Sequence, residues 1–212
     1  MSNARRLVSE TLKILSLDIS SKTGWALFEM YDRDARLTEF GRLDKIDKPD
    51  GVYPFDYVKW ADTIWYSIQD LLIRHEPDLV AIEETAIKPK SNPYSQKLLD
   101  WVHYRLANYL LEAGVSYRYF RTEEWRRIAG CVMTKEEKKR NSEVSRQKKA
   151  KGKGKERVIA KDENGKVIGK ITRKHVNVRR ANELFSLDLK IKDEDIADAA
   201  LLGWALCNTP MP

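Results

Sequence analysis

The chain has 212 residues, 42% of them hydrophobic, and a formal net charge of +7. That length can bury one core without staples, and no run approaches the ~18 consecutive apolar residues of a membrane span. Cys131 and Cys207 form no CxxC pair, which excludes the usual zinc and disulfide frameworks. Met1 to Glu10 has no apolar run behind its two arginines and does not read as a signal peptide, so a reduced, cytosolic setting is expected.

Leu12 to Ile19 is short, apolar and bounded by the turn-like run Ser20 to Gly24, which predicts a first, largely buried strand. Trp25 to Tyr31 and Ala35 to Leu43 read as second and third strands joined by a turn at Asp32 to Asp34, and such short connections imply an antiparallel meander. Val58, Ala61, Ile64, Trp65, Ile68, Leu71 and Leu72 recur at helical spacing and predict a helix from Phe55 to His75. Asp78 to Thr85 is a fourth strand, and a strand after a helix points to a parallel crossover. A second amphipathic helix runs from Ser95 to Ala113, with Gly114 as its stop, and Val115 to Phe120 is a fifth strand. Thr122 reads as the cap of a short helix through Ile128.

From Thr134 the character changes. Between Lys135 and Arg180 there are 18 Lys/Arg against 6 Asp/Glu, a local excess of twelve positive charges, so the remainder of the chain is net acidic at −5. That concentration suits a polyanion, because each neutralised phosphate releases condensed counterions; the bland reading is a solvated lysine-rich loop. Lys135 to Lys155 is poor in apolar residues and is expected to be mobile, and Asn164-Gly165 between Val158-Ile159 and Val167-Ile168 predicts a hairpin. Helices follow from Lys174 to Phe185 and from Asp193 to Cys207. The whole is one α/β domain: a mixed five-stranded sheet, three antiparallel strands then two parallel, flanked by helices.

Acidic residues stand where apolar ones are expected. Asp18 ends the first strand, Glu83 closes Leu79 to Ile82 with Glu84 beside it, and Asp195 and Asp198 lie three apart on the last helix among alanines and Trp204. Alone, each could be a strand-end or helix-start surface charge. Together they would be costly to bury unless something positive pairs with them, and hard oxygen ligands suit Mg²⁺ or Mn²⁺.

Their order resembles the RuvC-type Holliday junction resolvases of the RNase H-like superfamily. The family's motifs are matched by Ile14 to Gly24, by Val80 to Glu84 with Glu83 at the glutamate position, and by Asp195-Ile196-Ala197-Asp198-Ala199. The resemblance implies an RNase H-like fold and a catalytic quartet of Asp18, Glu83, Asp195 and Asp198 holding two Mg²⁺ ions per site, with Mn²⁺ able to substitute. It implies hydrolysis of phosphodiesters in four-way (Holliday) junctions or other branched DNA, 5′-phosphate products and a homodimer formed through the second helix.

Lys174, with Arg173 and His175 as neighbours, approximately matches the family's basic residue before the last motif, and could stabilise charge on the scissile phosphate. Residues from Thr134 to Thr172 look like an insertion relative to the compact bacterial enzymes. The overall look is nearer to bacteriophage members, which implies the host-cell cytoplasm. Candidate DNA contacts are Lys88 and Lys90 in the loop after Glu83, Lys148, Lys149, Lys151, Lys153 and Lys155 in the basic segment, and Arg173 with Lys174.

Trp60, Trp65, Trp101 and Tyr104 read as core rather than as base-stacking platforms. Competing readings are an RNase H-like nuclease of RNA–DNA hybrid or flap DNA, and a non-catalytic branched-DNA-binding module. Sugar kinases and actin-like ATPases share a related first strand, but the chain shows none of their glycine-rich phosphate loops.

Overall fold

The computed structural model describes residues 11–47, 51–85, 93–150 and 169–210. Its first strand, β1 (Leu12–Asp18), is central because its side chains are buried on both faces. It pairs antiparallel with β2 (Gly24–Tyr31), which pairs antiparallel with β3 (Asp34–Arg42). Asp32 and Arg33 both take positive φ, the mirror-image turn that suits a two-residue hairpin. On its other side β1 pairs parallel with β4 (Leu79–Glu83), and β4 with β5 (Ser116–Phe120). The sheet order is β3-β2-β1-β4-β5, the predicted three antiparallel strands followed by two parallel ones.

Helices α1 (Phe55–His75) and α2 (Pro93–Ala113) cover one face of the sheet. Trp60, Ile64, Trp65 and Ile68 of α1 and Leu98, Val102, Leu106 and Leu110 of α2 meet Leu15, Leu17, Val80 and Ile82 there. Trp101 and Tyr104, expected in the core, are instead 40% and 64% exposed. They lie on the side of α2 away from the stripe Leu98-Val102-Leu106-Leu110, and the indole of Trp101 donates to Asp62 (3.3 Å).

The other face is covered by α6 (Glu194–Cys207), against which α3 (Thr122–Ala129) and α5 (Arg173–Phe185) pack. Among the described residues no helix is long and apolar enough to cross a membrane.

Regular structure also occupies part of the segment expected to be irregular: α4 (Lys135–Ala150) is a helix. The sequence contains its cause. Thr134 and Glu137 form a reciprocal start, Glu137 N–H donating to Thr134 Oγ1 (3.2 Å) and Thr134 N–H to Glu137 Oε2 (2.8 Å). Lys, Arg, Glu and Gln are also good helix formers. Asn141 then exchanges two hydrogen bonds with Ile171, and Arg179 pairs with Glu137 (3.2 Å), which ties α4 to the start of α5. The predicted hairpin around Asn164-Gly165 lies outside the described residues.

Candidate active site

Alternation along β1 puts Ile14 and Ser16 on the α6 side, and Asp18 continues that series. Leu79, Ala81 and then Glu83 form the corresponding series on β4. The parallel register Leu17↔Ile82 makes Asp18 and Glu83 neighbours at the ends of adjacent strands. Glu83 points inward, whereas Glu84 is exposed and pairs with Arg121 (3.5 Å). The third source of acids is α6. Its first turn lies on β2 so closely that a Cβ on Gly24 would stand 1.9 Å from the carbonyl oxygen of Asp195. Gly24 is the partner of Asp18 in the β1–β2 ladder, so Asp195 and Asp198 arrive over the same end of the sheet.

The electrostatics follow from this crowding. Burial, then the charges of Asp198, Glu83 and Asp195, push the Asp18 carboxyl well above the usual carboxylate range, and Arg126 only partly opposes them. Among the described residues the Asp18 carboxyl makes no hydrogen bond or ion pair; the adjoining turn closes on itself through Ser20 and Thr23. Burial pushes Asp198 up to about 7, against the hydrogen bond from Asn177 and the charge of Arg126. Asp195 is also raised, by burial and by Glu194, with Arg42, Lys22 and Lys174 opposing.

Sequence reasoning missed the residues that hold these acids. Glu83 accepts from Thr122 Oγ1 (2.5 Å) and from the Trp125 indole (3.1 Å). Thr122 is therefore not the cap of α3: Arg121 occupies that position, and the Thr122 hydroxyl serves Glu83. Asp198 accepts from Asn177 Nδ2 (2.7 Å) and pairs with Arg126 (3.7 Å); Asp195 pairs with Arg42 (3.9 Å). A signal existed. Thr122, Trp125 and Arg126 share one side of a helix that starts where β5 ends, and Asn177 falls one helical turn after Lys174.

Lys174 hydrogen-bonds Glu194, which holds its ammonium charged, with Asp195 and Asp198 reinforcing the effect. Arg173 is exposed and pairs with Glu123 (3.9 Å). His175 closes the start of α5 on Thr172 instead of meeting the acids. Lys148 and Lys149 belong to the last turn of α4. Lys88, Lys90, Lys151, Lys153 and Lys155 lie outside the described residues.

Among the described residues no group of three or more His, Cys, Asp or Glu side chains is gathered as a metal site. The donor set nevertheless suits a hard divalent cation. It consists of carboxylate oxygens drawn from three elements, with three of its members lifted in pKa by burial and by neighbouring carboxylates, as acids are when their counter-charge is too small. Arg126 and Arg42 supply part of that counter-charge.

No family model matches the chain, and no curated protein sequence matches it. Solved structures do. Thermus thermophilus RuvC, in complex with Holliday junction substrate, is similar with a TM-score of 0.56 over 93% of this chain and 92% of that chain. The fold is that of RuvC. A second structure of Thermus thermophilus RuvC gives a TM-score of 0.55 over 93% of each chain. The yeast mitochondrial Holliday junction resolvase gives 0.51 over 95% of this chain and 80% of that one. Identities are 12%, 13% and 10%, so the likeness to RuvC is one of backbone, and this chain carries it with side chains largely its own.

Proposed function

We propose that the chain is a divalent-metal-dependent endonuclease of branched DNA that resolves four-way junctions by paired phosphodiester hydrolysis. The observation that carries this reading is the convergence of Asp18, Glu83, Asp195 and Asp198 from β1, β4 and α6 on one end of an RNase H-like sheet. Two Mg²⁺ ions, or Mn²⁺ in their place, would be held by these four acids; when bound they supply an activated water and positive charge at the leaving oxygen.

The chain's own residues do the positioning. Thr122 and Trp125 fix both oxygens of Glu83, and Asn177 fixes one oxygen of Asp198. Arg126 and Arg42 pair with Asp198 and Asp195 and hold part of their charge. Lys174, hydrogen-bonded to Glu194, would meet a phosphate of the substrate. The substrate's backbone would also run along the basic segment, with Lys148, Lys149, Lys151, Lys153 and Lys155 as its contacts, as well as Lys88, Lys90 and Arg173.

Symmetric cutting of a four-way junction calls for a two-fold dimer. Support comes from α2, where Trp101, Tyr104 and Leu111 expose large apolar surface along one side.

The test is cleavage of a labelled synthetic four-way junction beside matched duplex, flap and RNA–DNA hybrid, in Mg²⁺, Mn²⁺ or EDTA. Paired nicks in the junction that vanish in EDTA are the expected result. Cleavage of hybrid or flap alone would keep the site and change the substrate. Junction binding without cleavage in either metal would make the chain a recognition module.

A further inference from the structure

α3 spans eight residues, too few for a helix to stand by itself. Yet it carries Thr122 and Trp125, which hold Glu83, and Arg126, which pairs with Asp198. Asn177 of α5 is the other partner of Asp198. The C-terminal end of α3 presents carbonyls without a partner in the helix, at the negative end of its dipole. Two adjacent arginines of α5 meet that end. Arg180 Nε donates to the Ala129 carbonyl (2.8 Å), and Arg179 Nη2 donates to the Val132 carbonyl just beyond it (3.1 Å). Arg179 and Arg180 thus tie together the two helices that hold Glu83 and Asp198.

Arg179 is itself aimed from a third helix. Its Nε and Nη2 donate to the two carboxylate oxygens of Glu137 on α4 (3.2 Å each), a planar fork that fixes orientation as well as charge. The Glu137 side chain is only 17% exposed. It shares one side of α4 with Asn141, which exchanges hydrogen bonds with Ile171, and with the buried Val144; positions 137, 141 and 144 follow helical spacing. Lys135, Lys139 and Arg146 fall on the opposite side, are exposed and make no ion pair among the described residues. The outer side suits a phosphate backbone. The docked side grips the arginine that ties α5 to α3.

We propose, on the reading of the chain as a nuclease, that Arg179, aimed by Glu137, is a positioning residue for the acids, so that the basic segment governs the rate of cutting as well as the grip on DNA. Without the Glu137 fork the guanidinium loses its fixed plane, the tie between α3 and α5 slackens, and Trp125 and Arg126 drift from the acids they hold. A displacement of about 1 Å among such groups can cost roughly a hundredfold in rate. Binding needs no such precision, because a phosphate backbone is gripped by charge over many contacts.

The link can be read without DNA. The chain has six tryptophans, so nitrogen-15 labelling of tryptophan gives few indole signals. The Trp125 indole donates to Glu83, whereas the Trp60 indole donates to the Ile46 carbonyl (3.0 Å) on the other face of the sheet. Glu137→Ala should speed hydrogen exchange at the Trp125 indole roughly tenfold and leave Trp60 unchanged. In cleavage of a four-way junction with Mg²⁺, the same variant should lower the rate at saturating DNA by roughly tenfold or more. Its dissociation constant for the junction in EDTA should stay within about twofold of wild type. Glu137→Gln keeps one acceptor for Arg179 and should recover most of the lost rate.

A Glu137→Ala enzyme that cuts at the wild-type rate overturns the proposal. So does one that loses binding in step with rate, which would leave the segment a grip alone. Unchanged exchange at Trp125, or equal acceleration at Trp125 and Trp60, also overturns it, the latter because it marks a general loosening of the fold. If Trp125 alone responds but the wild type cuts no branched DNA, the positioning link stands and the nuclease reading falls. Arg179→Lys keeps the charge without the fork and should show the same split should Glu137→Ala fail to fold.

Discussion

On the face of the sheet covered by α1 and α2, the space is filled by large side chains: two tryptophans and a ladder of Ile and Leu from the helices against Leu, Val and Ile from the strands. On the opposite face α6 presents Ala197, Ala199, Ala200, Gly203 and Ala205. A Cβ on Gly203 would meet the Phe28 ring at 2.5 Å and Ser16 Oγ at 2.7 Å, and Ser16 donates to the Ala199 carbonyl (2.7 Å). Small residues let the α6 backbone touch the sheet. That closeness is what carries Asp195 and Asp198 over the end of β1.

One face is thus built for burial, where each large side chain contributes about 1.5–3 kcal/mol. The other gives up bulk so that acids can be crowded together, at a cost in stability that a cation would offset.

The contrast can be broken most sharply at Asp18. Asp18→Asn should abolish cleavage of a four-way junction while junction binding survives in a gel-shift assay. In EDTA the same variant should melt higher than wild type, because it removes a buried like charge; each kcal/mol gained is worth roughly 2–4 °C at this size. A lower melting temperature would mean that the acids are not a burden to the fold.

Gly24→Ala and Ile68→Ala form the next pair. The alanine at 24 collides with the Asp195 backbone and should cost both stability and nearly all cleavage. Ile68→Ala leaves a cavity on the α1 side and should cost about 2–5 kcal/mol in denaturant unfolding. Its cleavage rate per folded molecule should match wild type. Equal losses of activity in the two variants would erase the distinction between the faces.

The basic segment offers a third comparison. Removing Lys148 to Lys155 deletes five lysines and should weaken junction binding and flatten its dependence on salt, by up to about 4–5 in the logarithmic slope if every lysine neutralises a phosphate. An unchanged slope would remove the segment from the binding account.

The smallest expected effect is in pH. His103, on the buried side of α2 and bonded through Nδ1 to the Tyr119 hydroxyl (3.2 Å), is lowered by burial to about 4. Its unfolded counterpart titrates near 6.5, so acidification favours the unfolded chain. This contribution is complete above pH 6.5 and is lost as pH falls through 4, on the order of 3 kcal/mol in all. Asp198 has the opposite sign. Raised to about 7 from 3.8, it holds a proton that the unfolded chain releases, so the metal-free fold gains stability as pH falls through that window. His103→Phe should leave the second slope exposed: in EDTA, unfolding free energy should rise as pH drops from 7 to 4. A curve identical to wild type would show that His103 carries no such linkage.

The order of strands and helices was legible because it rests on periodicity. Alternating strands, the 3.6-residue stripe of α1 and turn signals such as Asp32 to Asp34 are local properties. The four candidate acids were also legible, each being a charge where the pattern demanded an apolar residue. Even α4 was written locally, in its Thr134–Glu137 start, but low hydrophobicity masked it.

Trp101 and Tyr104 were misread because burial of an aromatic depends on which side of α2 meets the sheet. Helical spacing grouped Thr122, Trp125 and Arg126, but tertiary structure decided which acids they meet. Thr122, Trp125, Arg126, Asn177 and Arg42 look locally like a helix cap, a core aromatic and surface polar groups. They acquire their roles only when α3 and α5 pack against α6 and the ends of β3 and β4 lie beside it. Sequence determined which groups carry charge and which elements form; only the packing of distant elements decided which charges meet, because the free energy of a buried carboxylate is set by neighbours far away in the chain.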